Sequence, residues 1–273
     1  MSQFLSYLLI LSFFFFFFIN SLGTNSSPLL ALCQLYGPYL CGDVNISYPF
    51  WVRNEIASDQ PYYCGNKGFG VMCLNNNEAV LELLGDRYHV KDINYTDHTL
   101  TLVDIDVSTN QTCPRARHSV SLEMLPLKYS SMDLNLSFYF NCTTYPPTAP
   151  FIPCLSISSN RTYVFVENNE TEGYDWSKNC EEKVVVPVRH KQTEINIDDL
   201  INRFGVAIND GFVLDWGSAK DCVTCENSEG YCGYNATAEK FLCFCNDGIA
   251  HGNSCKGTLP WSIPREKNPY YIS

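Results

Sequence analysis

The chain has little positive charge and, beyond its first two dozen residues, no long apolar run. Lysine and arginine number 18 against 29 aspartate and glutamate residues, which gives a formal net charge of −11. This excess of acid opposes nonspecific binding to nucleic acid, and no basic run offsets it. After residue 23 no stretch approaches the ~18 apolar residues of a membrane-spanning helix, so we expect a soluble mature chain with no transmembrane segment.

The sequence also lacks the motifs of common enzymes. It contains no Gly-x-Ser-x-Gly elbow, no His-Glu-x-x-His zinc helix, no glycine-rich phosphate loop and neither a His-Arg-Asp nor an Asp-Phe-Gly triplet. The histidines are scattered, and adjacent acids such as Asp198 and Asp199 are typical of solvated caps rather than of a glycosidase pair. We expect no catalysis, no cofactor and no metal site, and keep a secreted hydrolase as the minor alternative.

A leader occupies the N-terminus. Its apolar core includes six consecutive phenylalanines, Phe13 to Phe18, and Ser21 and Gly23 supply the small side chains that signal peptidase requires. Because the run is short for a membrane span, we predict that residues 1–23 are a secretory signal that is removed.

Cysteine usage agrees with export. All fourteen cysteines lie at or beyond Cys33. In an oxidising compartment an even number of thiols predicts a disulfide framework. We therefore expect a disulfide-rich protein located outside the cell, in the extracellular space.

Asparagine acceptors for N-glycosylation give a second indication of secretion, because they are denser than chance predicts. Asn25 lies close to the predicted cleavage point, and the Asn141 acceptor contains Cys142, whose disulfide would compete with glycan transfer. We therefore expect less glycosylation at these two sites than at the others. The remaining predicted sites are Asn45, Asn94, Asn110, Asn135, Asn160, Asn169 and Asn235.

Alternating apolar and polar residues predict a mainly β protein with short antiparallel strands and one short helix. Residues 79–84, 88–93 and 100–103 form a predicted β-meander, and residues 133–140, 162–166 and 183–188 are further strands. The helix is indicated by Leu200, Phe204 and Ile208, which are spaced four apart, with Asp198 or Asp199 as its cap and Gly211 at its end.

A proline-rich stretch at residues 145–153 interrupts regular structure and is the predicted domain boundary. We therefore expect two disulfide-rich domains, residues 24–144 and 145–255, followed by a polar tail at residues 256–273. That tail contains proline and lacks the apolar end of a GPI signal.

The last six cysteines follow the pattern Cys222-x2-Cys225-x6-Cys232-x10-Cys243-x-Cys245-x9-Cys255. Residues 222–255 resemble the C-terminal half of an EGF-like module. The resemblance implies the disulfides Cys222–Cys232, Cys225–Cys243 and Cys245–Cys255. Secretion disfavours a zinc site and a redox pair of Cys222 with Cys225. Of the acidic residues that usually precede a calcium-binding EGF module only Asp221 is present, so we expect no calcium site of that type. The pairing of the other eight is left open: Cys33, Cys41, Cys64, Cys73, Cys113, Cys142, Cys154 and Cys180.

Two ordered motifs carry a family resemblance. The first contains Cys33, Cys41-Gly42, Tyr48-Pro49-Phe50-Trp51 and Cys64-Gly-x-x-Gly-Phe-x-x-x-Cys73, and it resembles the galacturonan-binding domain of plant wall-associated receptor kinases. The second runs from Gly211-Phe-Val-Leu-Asp-Trp216 through Cys243-Phe-Cys245, and it resembles the companion C-terminal domain of the leaf-rust-resistance-locus subgroup. Members usually continue into a membrane helix and a kinase, so we expect a soluble relative or an incomplete form.

The resemblance implies a non-catalytic ectodomain that binds pectin, an acidic cell-wall polysaccharide. Because the protein is itself acidic, binding would need a local basic patch, or calcium bridging two sets of carboxylates. The candidate ligand-binding residues are Arg115, Arg117, His118, Arg189, His190, Lys191 and Trp51. For Trp51 and its aromatic neighbours, a place in the core is the simpler interpretation.

The alternative function is protein recognition. In that case the ectodomain would bind a peptide or a receptor-kinase ectodomain, and it would act in plant defence as a soluble competitor. The sequence does not separate this function from pectin binding.

Overall fold

The computed structural model describes residues 38–53, 62–107, 113–122, 125–189, 199–217, 220–235 and 237–256. Strands dominate these residues, and the helices are few and short, which confirms the predicted mainly β class with antiparallel sheets and disulfides. The predicted signal and the polar tail beyond residue 256 lie outside the described residues.

The largest sheet has seven strands in the order β3-β5-β6-β7-β8-β13-β9. Its strands are β3 (Trp51–Arg53), β5 (Gly70–Leu74), β6 (Glu78–Leu83), β7 (Asp86–Asn94), β8 (Thr99–Asp104), β9 (Leu127–Tyr129) and β13 (Phe212–Trp216). Strands β6 to β8 are the predicted meander, and only the β3–β5 pair is parallel among the described strands. Alternate apolar side chains of this sheet form a core that also holds Phe50 and Trp216.

A two-stranded ribbon lies against this sheet. It consists of β1 (Tyr39–Cys41) and β2 (Val44–Ile46), and its inward side chains Val44 and Ile46 join the same core. The Cys41–Cys73 disulfide fastens the ribbon to β5.

The second sheet has the order β11-β10-β12 and contains the three remaining predicted strands. They are β10 (Asp133–Cys142), β11 (Arg161–Val166) and β12 (Glu182–Arg189). Leu136, Phe138 and Phe140 on β10 face α2 (Leu200–Asp210), which is the predicted helix and presents Leu200, Phe204 and Ile208 to that core.

Both faces of this sheet are covered. Tyr139 is buried against Trp176 of α1 (Trp176–Asn179), and Ser137 on the same face of β10 is buried as well. Aromatic side chains make this possible: the Tyr139 and Trp176 rings lie 5.6 Å apart, and Trp176 also packs on Tyr163 at 4.8 Å. Asn135, one position further out on the same face, stays partly exposed, and its amide donates to Glu167 Oε2 at 2.7 Å.

The cysteine-rich segment forms a four-stranded sheet in the order β16-β15-β14-β4. The strands are β4 (Tyr62–Cys64), β14 (Tyr231–Asn235), β15 (Lys240–Phe244) and β16 (Ala250–His251). The helix α3 (Lys220–Glu226) comes directly before β14 in the chain. Disulfides join Cys222 to Cys232, Cys225 to Cys243 and Cys245 to Cys255, the three pairs that the EGF-like resemblance implies. Their buried sulfurs replace the apolar core that so short a segment lacks.

Two more disulfides lie in the second sheet's region, and they join Cys113 to Cys154 and Cys142 to Cys180. Cys64 is disulfide-bonded as well, and no described cysteine is free. A geometric cluster of Cys245, Asp247 and His251 has metal-ligand spacing, but its cysteine is oxidised and offers no thiolate.

The N-terminal and C-terminal parts of the chain exchange strands. β13, far along the chain, pairs with β8 and β9 inside the seven-stranded sheet, while β4, early in the chain, pairs with β14 of the cysteine-rich sheet. The predicted boundary at residue 145 also falls between β10 and β11, which are neighbours in one sheet. A cut at residue 144 would therefore divide one sheet and remove an inner strand from another.

One carboxylate connects the three-stranded sheet to the seven-stranded sheet. Asp133, at the start of β10, accepts a hydrogen bond at 2.9 Å from the backbone N–H of Val213 on β13. Burial raises the pKa of Asp133 to about 7, although the Val213 bond and the charge of Arg189 act in the opposite direction.

Candidate functional site

The predicted basic cluster at Arg115, Arg117 and His118 is paired with acids. Arg115 Nη2 lies 3.0 Å from Glu182 Oε2, and Arg117 Nη1 lies 3.5 Å from Asp106 Oδ2. A shallow recess of about 320 Å³ is lined by the two arginines and Glu182.

His118 has the same kind of surroundings. Its Nε2 lies 3.3 Å from Asp104 Oδ2, 3.6 Å from Asp86 Oδ2 and 3.1 Å from the Tyr88 hydroxyl. Burial raises the pKa of Asp104, with the His118 charge lowering it in part. The cluster is therefore a mixed-charge surface and not a free cationic patch.

The other predicted ligand residues are dispersed. Arg189 is exposed at the end of β12, and its backbone N–H donates to Gly211 O at 2.8 Å. Trp51 is half-buried, donates from Nε1 to Asn66 O at 3.1 Å and packs beside the main core, as the simpler interpretation held. His190 and Lys191 lie outside the described residues.

The described acceptor asparagines are all at least partly exposed. Asn45 and Asn169 are exposed, and none of the others is buried: Asn94, Asn135, Asn141, Asn160 and Asn235. Asn25 and Asn110 lie outside the described residues. Glycan attachment at these sites remains a prediction.

A different recess, here called the cleft, lies where the exchanged strands meet. It has a volume of about 360 Å³ and is lined by Tyr48, Pro49, Asn66, Tyr95, His98, Trp216, Gly217 and Glu226. The first five come from the N-terminal half of the chain and the last three from the C-terminal half, so the strand exchange creates this site.

Tyr48 links the two halves at one wall of the cleft. Its hydroxyl donates to Glu226 Oε1 at 2.6 Å and accepts from the backbone N–H of Cys232 at 3.1 Å. Burial, followed by the Glu226 bond, raises the pKa of Tyr48 above its ordinary value. The α3 helix is thereby fixed against the Tyr48-Pro49 turn.

Trp216 forms the base of the opposite wall. Its ring is 6% exposed and makes edge contacts with Phe50 at 4.9 Å, Tyr95 at 5.8 Å and His98 at 5.6 Å. Its backbone N–H donates to His98 O at 3.0 Å, which attaches the end of β13 to the β7–β8 turn. Trp216 is therefore packed into an aromatic cluster, of which Tyr95 and His98 also line the cleft.

Tyr95, another residue that lines the cleft, is hydrogen-bonded to the backbone of β2 and the residue that follows it. Its hydroxyl accepts from the Ser47 N–H at 2.6 Å and donates to Asn45 O at 2.9 Å. Burial raises the pKa of Tyr95, and the two Ser47 bonds lower it in part. The phenol is therefore used structurally, and the ring is left as an apolar wall.

Asn66 also lines the cleft and carries an unpaired donor. The residue is 3% exposed, its Oδ1 lies 2.6 Å from Cys222 Sγ, and its Nδ2 is buried with no hydrogen-bond partner among the described residues. An unpaired buried amide is costly. The cleft thus combines the Glu226 carboxylate, an imidazole and an apolar wall, which is the usual composition of a small polar-ligand site.

None of the described residues that the sequence singled out for ligand binding lines the cleft. The quoted family motifs do contain part of it, since Tyr48, Pro49, Asn66 and Trp216 lie within them. Tyr95, His98 and Glu226 had no signal of their own, because each becomes a cleft residue only through long-range packing.

The described part of the chain is a disulfide-stapled β fold with a cleft where its N-terminal and C-terminal parts interlock. The family comparison gives its class. Residues 33–104 match the family described as wall-associated receptor kinase galacturonan-binding, and residues 153–248 match the family described as wall-associated receptor kinase C-terminal. The chain is thus a relative of the extracellular region of plant wall-associated receptor kinases.

Similar curated proteins point to one subgroup. The chain is 29% identical over 241 residues to leaf rust 10 disease-resistance locus receptor-like protein kinase-like 1.2 of Arabidopsis thaliana, a match that covers 84% of the chain and 34% of that protein. The 2.1 protein is 27% identical, with coverage of 80% and 34%. The chain thus spans about a third of these relatives.

A RING-H2 finger protein of Arabidopsis thaliana is also similar, at 27% identity over 75% of the chain and 53% of that protein. No solved structure matches the chain. In the described part of the chain, no helix has the length and apolar character that crossing a membrane requires. Both family descriptions imply an extracellular, cell-wall context.

Proposed function

We propose that this chain is a secreted, N-glycosylated, non-catalytic ectodomain that binds galacturonan in the plant cell wall. The observation that carries the proposal is the composition of the cleft. Residues 33–104, which match the galacturonan-binding family, supply Tyr48, Pro49, Asn66, Tyr95 and His98 to it. The disulfides and the exposed acceptor asparagines support secretion.

The charge distribution argues against long-range attraction as the driving force. A protein with a net charge of −11 repels a polyanion, and the predicted arginines at 115 and 117 are already paired with carboxylates. Binding then depends on short-range contacts in the cleft, or on calcium that bridges protein and galacturonan carboxylates.

The same pairing of arginines favours a second candidate function. A mixed-charge surface such as that around Arg115 and His118 suits a protein partner better than a polyanion. In this function the chain binds a peptide or a receptor-kinase ectodomain and competes with membrane-anchored relatives in defence signalling.

Retention on immobilised oligogalacturonide, with and without a calcium chelator, tests the proposal. Gly217→Leu adds a side chain at the cleft, where a Cβ meets nothing within 4 Å, so it should obstruct the cleft without disturbing the fold. We expect at least a tenfold weaker affinity, about 1.4 kcal/mol of binding free energy.

Gly252→Leu is the matched control, because Gly252 is exposed, has equal space for a Cβ and does not line the cleft. Loss of retention on chelation would identify calcium bridging. If the unaltered chain is not retained at low salt in either condition, the carbohydrate function is wrong and a protein partner is favoured.

A further inference from the structure

The cleft offers no fixed cation for the carboxylates of galacturonan. Neither arginine nor lysine is among its described lining residues. Two of the arginines that the sequence singled out do not fill this gap, because Arg115 and Arg117 already lie 3.0 and 3.5 Å from protein carboxylates. Direct neutralisation of a galacturonate carboxylate therefore requires a cation outside the cleft.

Arg161, the first residue of β11, is held in place by aromatic side chains. Its guanidinium lies over the rings of Tyr145 and Phe151, and Cζ is 4.3 Å from each ring centroid. Both rings belong to the proline-rich stretch that precedes β11. Because the ring faces attract the cation and limit the freedom of its long side chain, the guanidinium is positioned before any ligand arrives.

The charge of Arg161 has no acidic partner. Among the described residues no carboxylate forms an ion pair with it. The Tyr163 phenol is close: burial raises the pKa of Tyr163, and Arg161 lowers it in part. A guanidinium has five N–H donors, and one phenol can accept from one of them.

The remaining donors of Arg161 can be reached from outside. The residue is half-buried, and none of its nitrogens is among the buried polar atoms that lack a partner in the described part of the chain. Tyr145 and Phe151 are also partly exposed. The N–H edge of the guanidinium therefore faces solvent while its faces lie against the two rings.

Two acids of the same region have other partners. Glu170 Oε1 lies 3.7 Å from Lys183 Nζ, and Glu181 Oε2 accepts from Asn141 Nδ2 at 2.9 Å. Neither takes the place of a ligand carboxylate at Arg161. The free edge of a positioned guanidinium can donate two parallel hydrogen bonds to one carboxylate, which is among the strongest contacts this group makes.

We propose that Arg161, Tyr145 and Phe151 form a second galacturonan contact, outside the cleft, in which the guanidinium binds the carboxylate of one galacturonate residue. The exposed parts of the two rings pack against the sugar. The inference rests on the proposed function and goes further. It assigns a carboxylate-binding arginine to residues 153–248, the part that matches the C-terminal family and not the galacturonan-binding one.

The test is titration calorimetry of the full chain with an oligogalacturonide of one length, at low salt and with a chelator, so that calcium cannot bridge. Because Asn160 is a predicted glycan acceptor next to Arg161, every chain carries Asn160→Gln, including the reference. We expect Arg161→Gln to weaken binding at least tenfold, since it removes the charge and the paired donors. Arg161→Lys keeps the charge but not the two parallel donors, and should weaken binding at least threefold.

Two controls make the result specific. Arg203→Gln makes the same charge change at an exposed residue of α2, which packs on the other face of the sheet, and should leave the affinity within twofold. The same oligomer with its carboxyl groups reduced to alcohols should bind the reference and Arg161→Gln equally. Circular dichroism checks the fold of each variant. If Arg161→Gln does not fold, Arg161→Lys, which keeps the long side chain between the rings, decides the result.

The outcomes separate the two claims. If the reference chain binds neither oligomer, the proposed function fails and the inference with it. If the Arg161 variants bind the acidic oligomer as tightly as the reference, the inference fails while galacturonan binding stands. An equal loss in Arg203→Gln, or an equal loss toward the carboxyl-reduced oligomer, would show a general charge effect or a structural role and would overturn the inference.

Discussion

Gly211→Ala is expected to lower the free energy of unfolding by more than about 4 kcal/mol, among the largest effects of a single substitution. Gly211 joins α2 to β13 with φ of +79°, a backbone conformation that favours glycine. A Cβ there would lie 2.1 Å from Leu102 O on β8. Relief requires β13 to move away from β8, and β13 carries Trp216 to the cleft.

Gly173→Ala separates backbone strain from steric overlap. Gly173 has φ of +74°, close to that of Gly211, but a Cβ at this position meets nothing within 4 Å. We expect a loss of about 1 kcal/mol for the strain alone. Urea unfolding with intact disulfides measures both variants. Equal losses would show that the close approach of β13 and β8 is not what makes Gly211 necessary.

Gly230→Ala is expected to prevent native disulfide pairing in the cysteine-rich segment. A Cβ at Gly230 would lie 2.5 Å from Cys243 Sγ, 2.6 Å from Cys255 Sγ and 2.8 Å from Cys225 Sγ, so two disulfides must shift. These sulfurs are the core of the segment, and no alternative packing is available to so short a chain. Peptide mapping of the unreduced protein should reveal scrambled pairs.

Gly252→Ala is the control for this prediction, because a Cβ at Gly252 in the same segment meets nothing within 4 Å. It should give the native pairs in full yield. Native pairing in Gly230→Ala would contradict the tight sulfur cluster around this glycine. The consequence extends to ligand binding, because the Cys225 disulfide lies beside Glu226 and fixes the cleft wall.

Six of the sixteen described strands could be predicted from sequence, because a local pattern of apolar residues marks them. β6 to β8, β10, β11 and β12 lie at or within a few residues of their predicted ranges. The partner of each strand could not be predicted, since hydrophobic alternation does not specify a sheet. β13 has the same pattern whether it joins the sheet of β12 or that of β8, and only its long-range pairing with β8 and β9 decides.

The site was harder to predict for the same reason. Arginines are visible in a sequence, whereas their pairing with Asp106 or Glu182 depends on tertiary contacts. Tyr48 and Glu226 are 178 positions apart and meet only after the two halves interlock. The family motifs indicated the type of domain, but not which of their aromatic residues line the cleft.

Hydrogen exchange of backbone amides, followed by mass spectrometry with and without saturating oligogalacturonide, tests the central claim most directly. The claim is that the ligand binds in the cleft formed by the two interlocked halves. We expect slower exchange together in peptides that contain Asn66, Tyr95 to His98 and Gly217. Protection confined to residues 113–122 around the paired arginines, with no change at the cleft, would contradict it.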